Sequence, residues 1–131
     1  AFNREFVSED GRLKKETQTG YLLALGFDLL TEASRPVAVD ALVADLESRD
    51  WHLSTGFVGT GLLMPVLSKV GRTDVAYRVL LQESYPGWLY SIEQGATTMW
   101  ERWNSYTHED GFGPVGMNSF NHYAYGAIGQ E

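Results

Sequence analysis

Two kinds of helical pattern alternate along the first eighty residues. Between Gln18 and Leu30 the run Tyr21-Leu22-Leu23-Ala24-Leu25-Gly26-Phe27 is apolar on all sides. That pattern predicts a helix buried all round, capped between Thr17 and Thr19. After the link Thr31-Glu32-Ala33-Ser34-Arg35-Pro36, Val39, Leu42, Val43 and Leu46 keep i, i+3, i+4, i+7 spacing, while Asp40, Asp45 and Glu47 face out. This predicts an amphipathic helix to about Arg49, with Pro36 suited to its first turn. The cycle then repeats. The Gly-rich connection Asp50 to Thr60 feeds an all-round apolar helix, Leu62-Leu63-Met64-Pro65-Val66-Leu67, expected to kink at Pro65 and to end at Gly71. Thr73 is expected to cap a second amphipathic helix to about Glu83, with Val75, Ala76, Val79 and Leu80 inward and Asp74, Arg78 and Gln82 outward. A third cycle starts near Pro86 and runs through Trp88-Leu89-Tyr90-Ser91-Ile92 to Gly95. Asn104 to Gly116 reads as a polar loop. The last helix is expected to begin near Asn118, with Phe120, Tyr123, Ala124, Ala127 and Ile128 on one face.

One layer of helices cannot accommodate that alternation. Two concentric layers can, with apolar helices inside and amphipathic helices outside. The predicted fold is all-α: about three helical hairpins forming part of an α/α toroid. A four-helix bundle is the simpler alternative, but it leaves two helices without a polar face unexplained. In a toroid, the links before the inner helices gather at one mouth. The small residues from Ser54 to Thr60 would suit a wall there, or would serve only close helix packing. The stretch Phe2 to Phe6 reads as the tail of a helix. Residues 122–131 stop inside an apolar helical pattern, so the expectation is a single domain over 1–131 that is part of a larger one.

Composition narrows the function. The 131 residues carry a net charge of −7, which argues against nucleic acid and against anionic membrane surfaces as partners. No apolar run reaches the roughly 18 residues of a membrane span, and the first residues lack the pattern of a signal peptide. There is no cysteine, hence no disulfide and no thiol nucleophile. Four Trp, seven Tyr and six Phe leave sugar-handling sites open. No phosphate loop and no nucleophile elbow occurs. His52, His108 and His122 lie too far apart in sequence for a metal-binding set, so no metal and no cofactor is expected.

The stretch with the most chemistry is Gly95-Ala96-Thr97-Thr98-Met99-Trp100-Glu101-Arg102-Trp103. It sets a carboxylate between two indoles with an arginine beside it. Glycosidic hydrolysis needs two carboxylic groups, and Glu101 could act as an inverting general base. Trp100 and Trp103 could pack on a sugar ring or exclude water, and Arg102 could orient the carboxylate. The plainer alternative is a surface Glu paired to Arg102 between core tryptophans. A second candidate is Asn118-Ser119-Phe120-Asn121-His122-Tyr123. There His122 could donate to a sugar hydroxyl and Asn118 and Asn121 could recognise hydroxyls. Against this, Asn118 could simply be a helix N-cap and His122 a residue at the core edge. Thr55 and Phe57 could line the mouth.

Taken together, Thr55-Gly56-Phe57-Val58-Gly59-Thr60, Gly71-Arg72-Thr73-Asp74-Val75-Ala76-Tyr77, Leu80-Leu81-Gln82, Tyr85-Pro86, Gly95-Ala96-Thr97-Thr98, Trp100-Glu101-Arg102-Trp103 and Met117 to Gly126 resemble the C-terminal half of the catalytic domain of bacterial α-L-rhamnosidases, glycoside hydrolase family 78. The resemblance covers nearly the whole chain. It implies an (α/α)6 barrel and inverting hydrolysis of terminal α-L-rhamnosyl residues. It also implies a general base at Glu101, a substrate contact at His122 and a pocket wall at Trp100 and Trp103. The family's general acid lies in an acidic motif upstream of anything here, and no such motif occurs between Ala1 and Arg49. The family's closing helix and β-sandwich domains also have no counterpart. The chain alone is therefore expected to be inactive, and to self-associate or pair with the missing half of the barrel. The competing expectation is a non-catalytic helical module that binds a glycan or a protein.

Overall fold

A computed structural model describes residues 1–129. Its helices are α1 (Phe2–Phe6), α2 (Gln18–Gly26), α3 (Ser34–Ser48), α4 (Phe57–Lys69), α5 (Thr73–Leu80) and α6 (Trp88–Glu93), followed by the strands β1 (Tyr106–Thr107) and β2 (Gly111–Phe112) and a 3-10 helix, Tyr123–Gly129. Among the described residues no helix is long and apolar enough to cross a membrane.

The two-layer expectation holds. Helices α2 and α4 pack on each other, α3 packs on α2, and α5 packs on α4. The two apolar helices thus form the inner layer and the amphipathic ones the outer. Leu22, Leu25, Leu42, Leu46, Leu63, Leu67, Val75 and Val79 are buried in one core. The α2–α4 approach depends on Gly59. A Cβ there would collide with Thr19 Oγ1 and with the Thr55 side chain, so only glycine lets the helices come this close. Of the two roles open to the small residues before the second inner helix, close packing is therefore realised at Gly59.

The boundaries differ from expectation in instructive ways. Helix α2 starts as predicted, with the Thr17 side chain accepting from the Gly20 N–H at 3.0 Å. It stops at Gly26. Asp28 then takes a positive φ of 53°, and Phe27 turns outward, 63% exposed. The α3 core stripe is Ala38, Ala41, Leu42 and Leu46; Val39 and Val43 only flank it, half-buried. Helix α4 begins at Phe57, inside the Gly-rich stretch, and runs through Pro65. Thr73 is the first residue of α5 and provides no side-chain cap. Asn104 to Gly116 is not all loop: β1 and β2 pair antiparallel around a turn in which Thr107 Oγ1 accepts from the Asp110 N–H at 2.9 Å and Gly111 holds φ 74°.

No helix starts at Asn118. The final helix begins at Tyr123 and is of the 3-10 type, because residues 119–122 spend their backbone groups on another segment, described below. That helix packs on α4, where its Ala127 comes within packing distance of Gly61. Tyr123, expected inward, is 87% exposed.

Buried polar side chains stitch the layers together. Gln18, 1% exposed, donates to Asp45 Oδ2 at 2.8 Å and accepts from the Ser54 N–H at 2.7 Å. It joins α2, α3 and the link to α4. Partial burial pushes Asp45 up, but hydrogen bonds from Arg49 and Gln18 more than offset that, and its carboxyl lies below the usual carboxylate range. His52 bridges the Arg49 carbonyl at 2.9 Å and Ser84 Oγ at 2.8 Å. The carbonyl can only accept, so in the neutral ring the proton sits on Nδ1 and Nε2 accepts from Ser84. This pins the end of the outer helix α3 to the segment after α5.

Candidate active site

Beyond α6 the chain stops following helical periods, and here the candidate residues gather. Gly95 leaves the helix at φ 92°. Residues 98–101 then run against 119–122. The Thr98 hydroxyl donates to the Phe120 carbonyl, the His122 N–H donates to the Met99 carbonyl at 2.8 Å, and the Glu101 N–H donates to the Ser119 carbonyl at 2.8 Å. The Ser119 N–H returns a bond to Glu101 Oε2 at 2.8 Å. One residue thus holds both the backbone and the carboxylate of Glu101.

Phe57 links the two candidates, sharing a cleft with Glu101 and stacking on His122. A cleft of about 270 Å³ is lined by Phe57, Glu101, Arg102, Met117 and Tyr125. Glu101 is its only carboxylate among the described residues. The His122 ring stacks on Phe57, with centroids 4.7 Å apart and planes 17° apart. Its Nδ1 accepts from the Ala124 N–H at 3.3 Å, so the neutral ring carries its proton on Nε2, ready to donate outward. Arg102 makes no ion pair with Glu101, although it lines the same cleft.

Other expected site residues are placed differently. Trp103 is buried in the core, stacked on Tyr125 at 4.0 Å and edge-on to Trp88 at 5.1 Å; it backs the cleft through Tyr125. Trp100 is buried edge-on to Phe120 and lines a separate cleft of about 490 Å³ with Thr97, Thr98, Tyr106 and Phe112. Trp100 and Glu101, adjacent in sequence, thus line different clefts. Thr55 is buried and bonded to Thr60 Oγ1 at 2.8 Å, behind the cleft wall. Asn118 directs its side-chain nitrogen to the Ser105 carbonyl at 3.1 Å. Phe57 is 41% exposed and does line the cleft. Sequence reasoning missed Tyr125, Met117 and the Ser119 backbone. The first two look like ordinary apolar positions, and a main-chain donor has no side-chain signature.

Residues 1–130 match the model of the bacterial alpha-L-rhamnosidase six-hairpin glycosidase domain. The chain belongs to this family. The α-L-rhamnosidase of Streptomyces avermitilis is 53% identical over 130 residues, covering 99% of this chain and 13% of the relative. That of Alteromonas sp. (strain LOR) is 58% identical over 130 residues, covering 98% of this chain and 14% of the relative. Two solved structures align with TM-score 0.91: the Streptomyces avermitilis α-L-rhamnosidase complexed with L-rhamnose, at 53% identity and covering 97% of this chain and 12% of that one, and the native α-L-rhamnosidase of Aspergillus terreus, at 40% identity and covering 97% and 15%. The hairpins of this rhamnosidase-type domain are therefore part of a helical hairpin toroid. The chain spans about one seventh of the length of these relatives.

Proposed function

We propose that this chain is the segment of an α-L-rhamnosidase catalytic toroid that presents the general base, in a protein that hydrolyses terminal α-L-rhamnosyl residues with inversion. The observation that carries the reading is the Glu101 carboxylate, fixed through Oε2 by the Ser119 N–H in a cleft shared with Phe57 and Tyr125, within a chain matched end to end by rhamnosidases. In that role Oε1 takes a proton from water as the water attacks the anomeric carbon. The glycosidic oxygen leaves with a proton from a second carboxylic group. His122, steadied by Phe57, donates from Nε2 to a sugar hydroxyl. Phe57 and Tyr125 offer the apolar faces for the ring.

Glu101 is the only carboxylate lining the cleft among the described residues, so in this reading the second carboxylic group comes from outside the segment. An inverting pair stands about 6.5–9.5 Å apart to admit the water, so the partner arrives from another part of the toroid. The same part would cover the apolar groove of about 460 Å³ lined by Phe2, Phe6, Leu13, Leu23 and Ala24. In this reading the isolated 131-residue chain is inactive, and it self-associates or pairs with the missing half of the barrel. A clean monomer in light scattering would count against that.

The direct test of the reaction is stereochemical. Proton NMR of aryl α-L-rhamnoside hydrolysis by the full-length polypeptide should show β-L-rhamnose first. Initial release of the α-anomer would overturn the base assignment.

A further inference from the structure

Glu101 is held by a main-chain N–H that belongs to a loop, so something must hold the loop. Ser105 and Asn118 do so. Ser105 is fully buried, 0% exposed. Its hydroxyl donates to the Arg102 carbonyl at 3.0 Å and lies 3.3 Å from the Arg102 N–H, which closes the turn immediately after Glu101. Its carbonyl accepts twice, from the Gly113 N–H at 2.8 Å and from Asn118 Nδ2 at 3.1 Å. Asn118 directly precedes Ser119, the residue whose N–H meets Glu101 Oε2. The loop reaches this point through Met117, which holds a left-handed φ of 56°, a conformation uncommon outside glycine.

The amide orientation of Asn118 follows from chemistry. A carbonyl only accepts, so the nitrogen must face Ser105. The Asn118 Oδ1 atom is then buried without a donor among the described residues. Such an acceptor is unfavourable for stability, and the Ser105 carbonyl would remain satisfied by Gly113 without Asn118. Stability alone does not account for an asparagine here.

We infer that Asn118 is a positioning residue: its amide, anchored on the Ser105 carbonyl, fixes the Ser119 N–H beneath the Glu101 carboxylate and so aims the general base. This rests on the reading of Glu101 above, and it replaces the expectation that Asn118 touches the sugar.

The test uses the full-length rhamnosidase with 4-nitrophenyl α-L-rhamnoside, comparing Asn118→Leu, Asn118→Asp and Glu101→Gln. Asn118→Leu keeps the approximate shape and removes both the anchor and the orphaned acceptor. It should lower kcat by roughly 10- to 100-fold, the scale of an ångström-size misplacement. KM should stay within about threefold, and the thermal midpoint should be unchanged or higher. Asn118→Asp keeps the shape but cannot donate when ionised, and should show the same split if the Leu variant folds poorly. A rise in KM with kcat intact would overturn the proposal and make Asn118 a substrate contact. Unchanged kcat in both variants would overturn it too, as would a kcat loss that only follows a falling midpoint. If Glu101→Gln turns over normally, the general-base reading fails and takes this inference with it. If Glu101→Gln is inactive but the Asn118 variants are normal, only the positioning role fails.

Discussion

The helices from Gln18 to Leu80 and the irregular stretch from Gly95 to Gly129 solve different problems. In the first region the side chains dictate the backbone. Apolar residues at helical spacing bury Leu22, Leu42, Leu63 and Val79 in one core, and main-chain hydrogen bonds follow within each helix. In the second region the backbone dictates the side chains. Main-chain bonds between 98–101 and 119–122 tie Glu101 to Ser119 and His122 to Met99, and Glu101 and Trp100 line different clefts. The first region supplies stability and a rigid wall. The second supplies a geometry that no periodicity encodes.

Substitutions should separate the two. The largest stability loss is expected in the inner layer. Leu63 is 0% exposed, and Leu63→Ala should destabilise by about 2–5 kcal/mol, read as a fall in the denaturant midpoint. Gln18→Ala follows at about 1–3 kcal/mol, because it strands the Ser54 N–H and removes the donor to Asp45. His122→Ala should act in the opposite region. It should raise KM for an aryl rhamnoside by roughly tenfold, the scale of a lost hydrogen bond, with little change in the thermal midpoint. An equal loss of stability would place His122 with the scaffold.

Asp45 gives the comparison a pH axis. Its folded carboxyl is held below the ordinary range, so the unfolded chain binds more protons in between. The contribution is fully present above the unfolded carboxylate pKa and is lost as pH falls through the folded value. Acid denaturation midpoints should show it, and Asp45→Asn should flatten that part of the curve. The smallest effect is expected at Asp28, whose pairs with Arg35 and Lys69 are exposed. Exposed pairs contribute little, and Asp28→Asn should leave the midpoint within error at moderate salt.

The same contrast explains what the sequence disclosed. The alternation of Tyr21–Phe27 with Val39–Leu46, then Leu62–Leu67 with Val75–Leu80, was enough to infer two layers, since helices without a polar face must be inside. Helix ends were less legible. Gly59 looked like part of a link, yet it lies within α4, at a point where a close neighbour excludes any side chain. The residues of the last third were legible by type but not by place. Glu101 and His122 are placed by main-chain bonds to Ser119 and Met99, which no side-chain pattern announces. Trp100 and Trp103 flank Glu101 in sequence but not in space: Trp100 lines a different cleft and Trp103 is buried in the core. Asn118 has the side chain of a helix cap, and a tertiary acceptor at Ser105 claimed it instead.

The central claim is that this second region presents a base while the first only holds it. The most direct test is kcat of Glu101→Gln in the full-length enzyme, set beside its thermal midpoint. The glutamine oxygen can still accept the Ser119 N–H, so the midpoint should stay within about 2 °C of the parent, a change of less than about 1 kcal/mol. Loss of the general base should lower kcat by roughly 10²- to 10⁴-fold. A variant that keeps kcat within about threefold of the parent, or one that loses activity only as far as it loses its fold, would contradict the account.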